Sequence, residues 1–137
     1  MKDLIFDPLR KKRVPLTPEE GVRQSFITYL NSALGYPFSL MASEYSVKFN
    51  GRIYRADIVA FTSNLAPEIV VECKAPSVKI NGDTARQIIR YNMALKVNYL
   101  IITNGVATFV CKFDKVSGEY VFINEIPKYR NNEFSGE

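Results

Sequence analysis

Residues 69–74 read Ile69-Val70-Val71-Glu72-Cys73-Lys74, and this short run decides the fold. Its apolar first half predicts a strand that is buried on both faces, as in the centre of a sheet. Side chains alternate along a strand, so Glu72 and Lys74 share one face while Cys73 lies on the other. Buried charges are costly unless they are paired or bind an ion. The alternative is a strand that emerges into solvent with an ordinary surface ion pair.

A second acidic residue, Asp57, lies in the preceding predicted strand, in the spacing D-x14-E-x-K that Lys74 completes. If adjacent strands bring Asp57 and Glu72 together, their carboxylates repel unless a hard cation such as Mg²⁺ lies between them. Such a cation polarises a phosphodiester and lowers the pKa of a bound water. Lys74 would orient that water or neutralise developing charge. The spacing therefore indicates metal-dependent phosphodiester hydrolysis.

The residues before and after Asp57 and Glu72 show the spacing of further helices and strands. Thr17-Pro18-Glu19-Glu20 is typical of a helix start, and Gly35 and Pro37 stop that helix. Asp83 is predicted to cap a second helix that runs to about Lys96. Alternation of apolar and polar residues and the Asn50-Gly51 turn predict a hairpin of two strands, and further apolar runs predict four more. The predicted strands cover residues 43–49, 52–61, 68–75, 98–103, 106–113 and 119–125.

This order, α-β-β-β-α-β-β with two or three strands at the end, predicts an α/β fold with a mixed central β-sheet flanked by helices. The chain of 137 residues is long enough for one core. We predict one domain over residues 17–126, a basic N-terminal arm over 1–16 and a C-terminal tail over 127–137, disordered from 131. The arm carries Arg10, Lys11, Lys12 and Arg13, which either contact phosphates or stay solvated.

The composition excludes several classes of catalytic mechanism and favours one class of partner. The absence of histidine excludes Ser-His and Cys-His mechanisms and most catalytic zinc sites. Cys73 and Cys111 lie in apolar runs and are expected to be small buried hydrophobes. The net charge of +4 and pI of about 9.1 favour an anionic partner. The sequence has no apolar stretch of membrane-spanning length and no secretory signal features, which predicts no membrane association and a cytoplasmic location.

These motifs together resemble a known superfamily. Residues 55–59 and 69–76 are similar to the core motifs of PD-(D/E)XK nucleases with a restriction-endonuclease-like core, and more narrowly to the N-terminal nuclease domain of type I restriction enzyme R subunits. Gln87 and Tyr91 match the Q-x-x-x-Y motif of the RecB-like branch. Residues 103–105 and 18–23 also resemble the family pattern, so the resemblance covers about residues 17–123.

The resemblance implies a site as well as a fold. A metal ion, Mg²⁺ or Mn²⁺, would be held by Asp57, Glu72 and the backbone carbonyl of Cys73, with Lys74 as the catalytic lysine. Glu20 matches the first-helix acid that often approaches the metal, but it is equally the third residue of a capping box with Thr17.

Other matched residues have alternative roles. Glu44 matches a further family acid, or is an edge-strand charge without a function. Gln87 would support catalysis and Tyr91 would contact nucleic acid, unless both only pack between helix and sheet. Nucleic-acid contacts are expected from Tyr91, Lys74, Arg55 and Lys79.

The implied function is a metal-dependent DNA endonuclease domain. The enzymes that it resembles carry an ATP motor, whereas this sequence has no G-K-[ST] phosphate loop, which excludes translocation-coupled restriction by this chain alone. Expected partners are DNA, a separate motor or modification subunit, and a second copy of the chain. The first alternative is an inactive nucleic-acid-binding or partner-binding module with the same fold. An unrelated domain with a coincidental motif is the second.

Overall fold

A six-stranded sheet with one helix on each face organises residues 3–130, the part of the chain that the computed structural model describes. Its strands follow one another in sequence order. Only its third and fourth strands are parallel to each other, and every other neighbouring pair is antiparallel. The predicted mixed α/β fold is therefore confirmed. The strands are β3 (Met41–Phe49), β4 (Arg52–Phe61), β5 (Pro67–Cys73), β6 (Tyr99–Thr103), β7 (Thr108–Asp114) and β8 (Glu119–Ile123).

The helix on one face, α1 (Pro18–Ser32), begins as the sequence predicts. The Thr17 hydroxyl accepts the backbone N–H of Glu20 at 3.0 Å, and Pro18 occupies the first turn, where its missing N–H leaves no bond unmade. The reciprocal half of the capping box does not form, because the Thr17 N–H donates to the carbonyl of Pro15 at 3.1 Å. The Glu20 side chain is thus free to bind elsewhere.

The helix on the other face, α2 (Gly82–Asn92), begins one residue before the predicted cap. Asn81 is the N-cap, since its side-chain oxygen accepts the Thr84 N–H at 2.9 Å, so the assignment of that role to Asp83 is wrong. A short 3₁₀ turn, Met93–Leu95, extends the helix, and Lys96 ends it with a φ of 53°. Within residues 3–130, no helix is both long enough and apolar enough to cross a bilayer.

The sheet separates two hydrophobic clusters. The α1-side cluster joins buried residues of α1, such as Ile27 and Leu30, to Ile69, Val71 and Cys73 of β5. The α2-side cluster joins Ala85 and Ile89 of α2 to side chains that include Val70, Leu100, Ile102 and Cys111. Both cysteines are buried and free, as predicted. The alternation within β5 confirms that Cys73 faces away from its charged neighbours.

Strand β4 changes the face of its side chains at Asp57. Tyr54, Ala56 and Val59 belong to the α2-side cluster, whereas Ile58 and Ala60 belong to the α1-side cluster. Ala56 and Ile58 are two residues apart and would share a face in a regular strand. The opposite strand is irregular at the same level, because Glu44 has a φ of 50°, a conformation that non-glycine residues rarely adopt. The distortion therefore spans both strands at the position of Asp57.

The N-terminal residues form a hairpin where the sequence predicts a basic arm. Strands β1 (Leu4–Asp7) and β2 (Lys12–Pro15) pair antiparallel, and Arg10 lies in the turn between them. Asp7 is fully buried and accepts hydrogen bonds from the Leu9 N–H, at 2.8 Å, and from the Arg10 side chain. This N-terminal hairpin, residues 4–15, is thereby tied to a buried carboxylate. The predicted disorder of residues 131–137 lies outside the described part of the chain.

The buried Asp7 predicts a pH-dependent contribution to stability. Burial alone would raise its pKa, but the Arg10 and Leu9 hydrogen bonds and the Arg10 charge outweigh burial, so the pKa of Asp7 is lowered from 3.8. The stabilisation is therefore present above the unfolded pKa and is lost as the pH falls through the folded pKa. We expect Asp7→Asn to destabilise the domain by about 2 kcal/mol near pH 7, the value of a charged hydrogen bond.

Urea unfolding of wild type and Asp7→Asn at several pH values measures this effect, and the difference should vanish in acid. Asp83→Asn is the matched control, because the Asp83 side chain is 90% exposed. A difference that does not depend on pH, or that the control reproduces, would contradict the assignment.

Candidate metal centre

Asp57 lies where the pairing of β4 with β5 ends. The last paired positions at this end are Ile58 and Val71. The next N–H of β5 that points toward β4 belongs to Cys73, since the N–H of Lys74 bonds to Thr103 of β6 at 2.8 Å. The Asp57 Oδ2 accepts this Cys73 N–H at 2.6 Å, in place of a backbone carbonyl. The carboxylate thus sits in the gap between the diverging strands.

Glu72 and Lys74 share the α2-facing side of β5, as the sequence predicts. Glu72 lines a small cavity with Val70, Ile88 and Ile102. Its Oε2 lies 3.6 Å from the Lys74 Nζ, and the two side chains are 29% and 37% exposed. They are therefore half-buried at the end of the strand. The alternative was an ordinary surface ion pair. It accounts for the contact between Glu72 and Lys74 but not for the nearby carboxylate of Asp57.

The charge of Asp57 acts on Glu72. Burial is the largest cause that raises the pKa of Glu72 above 4.5; Lys74 opposes it, and the charge of Asp57 raises it further. The charge of Glu19, from the first turn of α1, also contributes. Electrostatic repulsion between carboxylates is what a bound cation would relieve. Asp57 therefore lies close enough to Glu72 for its charge to raise the pKa of Glu72.

The donor set fits a hard divalent cation. Asp57 uses one oxygen for the Cys73 N–H, and a carboxylate has a second oxygen to offer. Burial raises the pKa of the Cys73 thiol far above its usual value, and the thiol faces the α1-side cluster, so only the backbone carbonyl of this residue suits a metal. Within residues 3–130, no three His, Cys, Asp or Glu side chains converge as a cage. Carboxylate and carbonyl oxygens are the ligands that a hard ion such as Mg²⁺ prefers.

Glu20 binds an arginine of the N-terminal hairpin. Its two carboxylate oxygens each lie 2.9 Å from the Arg10 Nη2, and Glu20 Oε2 also accepts from Gln24 at 3.0 Å. The Arg23 Nε lies 3.2 Å from the same oxygen. Glu20 is only 6% exposed. A metal-binding role for Glu20 stays a prediction. In the structure its carboxylate contacts two arginines and one side-chain amide.

Glu44 is also bound to Arg10, with its Oε1 2.7 Å from the guanidinium. One arginine therefore contacts three carboxylates from three segments: the hairpin, α1 and β3. The suggestion that Glu44 is a simple edge-strand charge does not account for this contact. The sequence left Arg10 either to contact phosphates or to stay solvated, and its acid partners were not identified, because a basic run in a polar segment carries no signal of a fixed partner.

Gln87 and Tyr91 share one face of α2, and both are exposed. The Tyr91 ring packs edge-on against Tyr54 with centroids 5.8 Å apart, and the Arg52 guanidinium carbon lies 4.6 Å from the Tyr91 centroid. Tyr91 thus packs between helix and sheet, as one alternative holds, yet keeps 54% of its surface exposed. Arg55 and Lys79 are exposed too. The nucleic-acid roles of these residues stay predictions.

Asn104 is a further site residue whose task the sequence did not reveal. Its side-chain amide donates to the Val78 carbonyl at 2.8 Å, and its Oδ1 accepts the N–H groups of Val106 and Ala107 at 2.8 and 2.7 Å. Asn104 is buried and joins the loop that follows Lys74 to the end of β6. The Thr103-Asn104-Gly105 motif was the available signal, and its physical reason is this set of hydrogen bonds.

Fold and site together define a nuclease-like α/β domain, in which two acids and a lysine lie near the ends of adjoining strands of a mixed sheet. A family model described as the type I restriction enzyme R protein N terminus matches residues 18–127. The match covers most of the chain, and the chain belongs to this family. The N-terminal hairpin precedes the matched residues.

Solved structures show the same fold. A fragment of a proposed HsdR subunit of a type I restriction enzyme from Vibrio vulnificus is 21% identical, with a TM-score of 0.55 over 82% of this chain. This chain spans only 24% of that one. A proposed nuclease of the DUF820 group from Anabaena variabilis is 13% identical, with a TM-score of 0.51 over 84% of this chain and 74% of its own. At these identities the likeness establishes the fold alone. No curated protein matches the chain.

The raised pKa of Glu72 predicts a gain in stability when the charge is removed. Because the folded state favours the protonated carboxyl, the contribution of Glu72 to stability is present at low pH and is lost as the pH rises through its raised folded pKa. Glutamine stays neutral at every pH. We therefore expect Glu72→Gln in EDTA to unfold at a higher temperature than wild type near pH 7, with no difference in acid. Equal midpoints at neutral pH would contradict the burial of this charge.

Proposed function

We propose that this domain is a divalent-metal-dependent endonuclease domain that hydrolyses DNA phosphodiester bonds with Mg²⁺ or Mn²⁺. One observation carries the proposal. The Asp57 carboxylate replaces a backbone acceptor for the Cys73 N–H, so it lies between β4 and β5 where the charge of Glu72 also acts. The membership of the type I restriction R-protein family supports a nuclease, and the geometry supports the residues.

The side chains have separate tasks in this proposal. Asp57, Glu72 and the Cys73 carbonyl hold the cation, which when bound polarises the phosphodiester and lowers the pKa of a water. The Cys73 N–H fixes the Asp57 carboxylate before any ligand arrives. The Lys74 ammonium, 3.6 Å from Glu72, donates to the attacking water or to a phosphate oxygen. Gln87, one turn of α2 before Tyr91, supports the reacting groups.

DNA contacts are assigned to exposed basic and aromatic side chains near these groups. Arg55 follows the Arg52–Tyr54 segment along β4, and Lys79 lies in the loop after Lys74. The Arg52 guanidinium over the Tyr91 ring presents a cation and a flat surface, which suit a phosphate and a sugar or base. The net charge of +4 favours the same partner.

The protein partners that we propose are argued from the chemistry of strand cleavage. One site cuts one strand at a time, so double-strand cleavage requires a second copy of the chain or repeated encounters. These residues contain no phosphate loop, and we propose that a motor or modification subunit works with the domain. We propose DNA as the substrate and such a subunit, or a second copy, as a protein partner. The cytoplasmic location stays a prediction.

A binding module without catalysis is the second candidate. One observation favours it: Glu20, the acid that the family resemblance places near the metal, is bound to Arg10, Gln24 and Arg23. A domain that holds DNA through its basic surface alone would bind with a steep dependence on salt and would cut nothing with any divalent metal.

A nicking assay separates these candidates. Supercoiled DNA is incubated with Mg²⁺ or Mn²⁺ and wild type, Asp57→Asn, Glu72→Gln or Lys74→Met. We expect each variant to lower the cleavage rate by about a hundredfold or more, since each removes a ligand or a charge-stabilising donor.

Glu119→Gln is the matched control, because Glu119 is an exposed acid on the distant edge strand β8. It should cut like wild type. Cleavage that persists in Asp57→Asn and Glu72→Gln would refute the assigned site, and a wild type that binds DNA without cutting it would establish the binding module.

A further inference from the structure

The four basic residues at the turn of the N-terminal hairpin have different surroundings. Arg10 is half-buried and contacts three carboxylates. Lys11, Lys12 and Arg13 are exposed, and none of them forms an ion pair within residues 3–130. Three positive charges of the hairpin therefore have no acidic partner in the described part of the chain.

The turn that carries these charges is fixed by its own hydrogen bonds. The Lys11 N–H donates to the Asp7 carbonyl at 2.8 Å, and Lys11 has a φ of 55°. The Asp7 carboxylate accepts from Leu9 and Arg10, although Lys12 is the partner of Asp7 in the strand register. The hairpin therefore presents its exposed cations in one arrangement, which lowers the entropy that binding a partner costs.

The contacts of Arg10 hold the hairpin beside the candidate metal centre. The Arg10 guanidinium binds Glu44 at 2.7 Å, and the β3–β4 register leaves Glu44 opposite Asp57. The same guanidinium binds Glu20 at 2.9 Å. Arg23 in turn contacts Glu20 and donates to the Asp57 carbonyl at 3.4 Å. Two separate chains of contacts therefore join the hairpin to the position of Asp57.

The alternative is a basic arm that is only solvated. Such an arm needs no anchor, whereas this hairpin is tied to the fully buried Asp7 and to two further carboxylates. A duplex carries one negative charge for about every 1.7 Å of its axis, so DNA at the metal centre presents phosphates on both sides of the scissile one. A fixed group of cations next to the centre suits these neighbouring phosphates.

We propose that Lys11, Lys12 and Arg13 bind DNA phosphates next to the scissile one, and that Arg10 positions the hairpin for this contact. The inference rests on the proposed function, which supplies DNA as the substrate, and deepens it by naming a surface that binds the DNA backbone. That surface lies outside residues 18–127, which match the family model. Contacts to phosphates carry no sequence information, so the hairpin strengthens binding to any duplex.

Two triple variants with the same loss of charge test this surface. The hairpin variant replaces the three proposed cations: Lys11→Gln, Lys12→Gln and Arg13→Gln. The far-end variant replaces three exposed lysines at the opposite end of the sheet: Lys112→Gln, Lys115→Gln and Lys128→Gln. These lysines lie away from the metal centre, because the start of β6, the end of β7 and the segment that follows α1 share that end of the sheet.

Fluorescence anisotropy of a short labelled duplex measures binding in EDTA over a range of salt concentrations. We expect the hairpin variant to bind about tenfold more weakly or worse at low salt. The slope of log affinity against log salt should become shallower by about 2.7, or about 0.9 for each lost phosphate contact. The far-end variant should keep the wild-type slope. Both variants should unfold at the wild-type temperature, since all six side chains are exposed.

The outcomes separate this inference from the proposed function. Equal slopes for wild type and the hairpin variant, or equal losses in both variants, would overturn the role of the hairpin alone. If the hairpin variant does not fold, Lys12→Gln alone decides, with an expected change in slope of about 0.9. Binding that requires the hairpin but is never followed by cleavage would support the hairpin and refute catalysis. A wild type that binds no duplex in EDTA or in Mg²⁺ would remove the proposed function and this inference together.

Discussion

The hydrogen bond from the Cys73 N–H to the Asp57 carboxylate is the interaction on which the site depends. In a continuous ladder, β4 would present a backbone carbonyl at this position and the two strands would stay side by side. Here the side chain supplies the acceptor, so pairing stops after Ile58 and Val71 and the strands separate. A charge-assisted bond of 2.6 Å compensates for the lost ladder contact. The gap that results holds Asp57 beside Glu72, and β3 accommodates the distortion at Glu44.

A buried charge network holds the rest of the site around that gap. Asp7, Arg10, Glu20 and Arg23 connect the N-terminal hairpin, through α1, to the Asp57 carbonyl. Desolvated ion pairs add little net stability compared with apolar packing, but they tolerate few alternative arrangements. The hairpin, which precedes the residues that match the family model, therefore holds Glu20 of α1 through Arg10.

The sequence predicted the helices and strands around this site better than the contacts within it. Periodicity located both helices and all six strands of the sheet, because hydrophobic spacing reflects burial directly. The shared face of Glu72 and Lys74 followed from strand alternation. The Asn81 cap was missed because Asp83 offers the same chemistry two residues later. The face change at Asp57 and the partners of Arg10 could not be predicted, since both arise from contacts between segments that no local pattern encodes.

A crystal structure determined after soaking with Mn²⁺, with anomalous scattering recorded for the metal, tests the central claim most directly. We expect one strong anomalous peak within about 2.0–2.3 Å of an oxygen of Asp57 and an oxygen of Glu72, between the ends of β4 and β5. A peak beyond coordinating distance of either carboxylate, or no peak in the gap at saturating Mn²⁺, would contradict it.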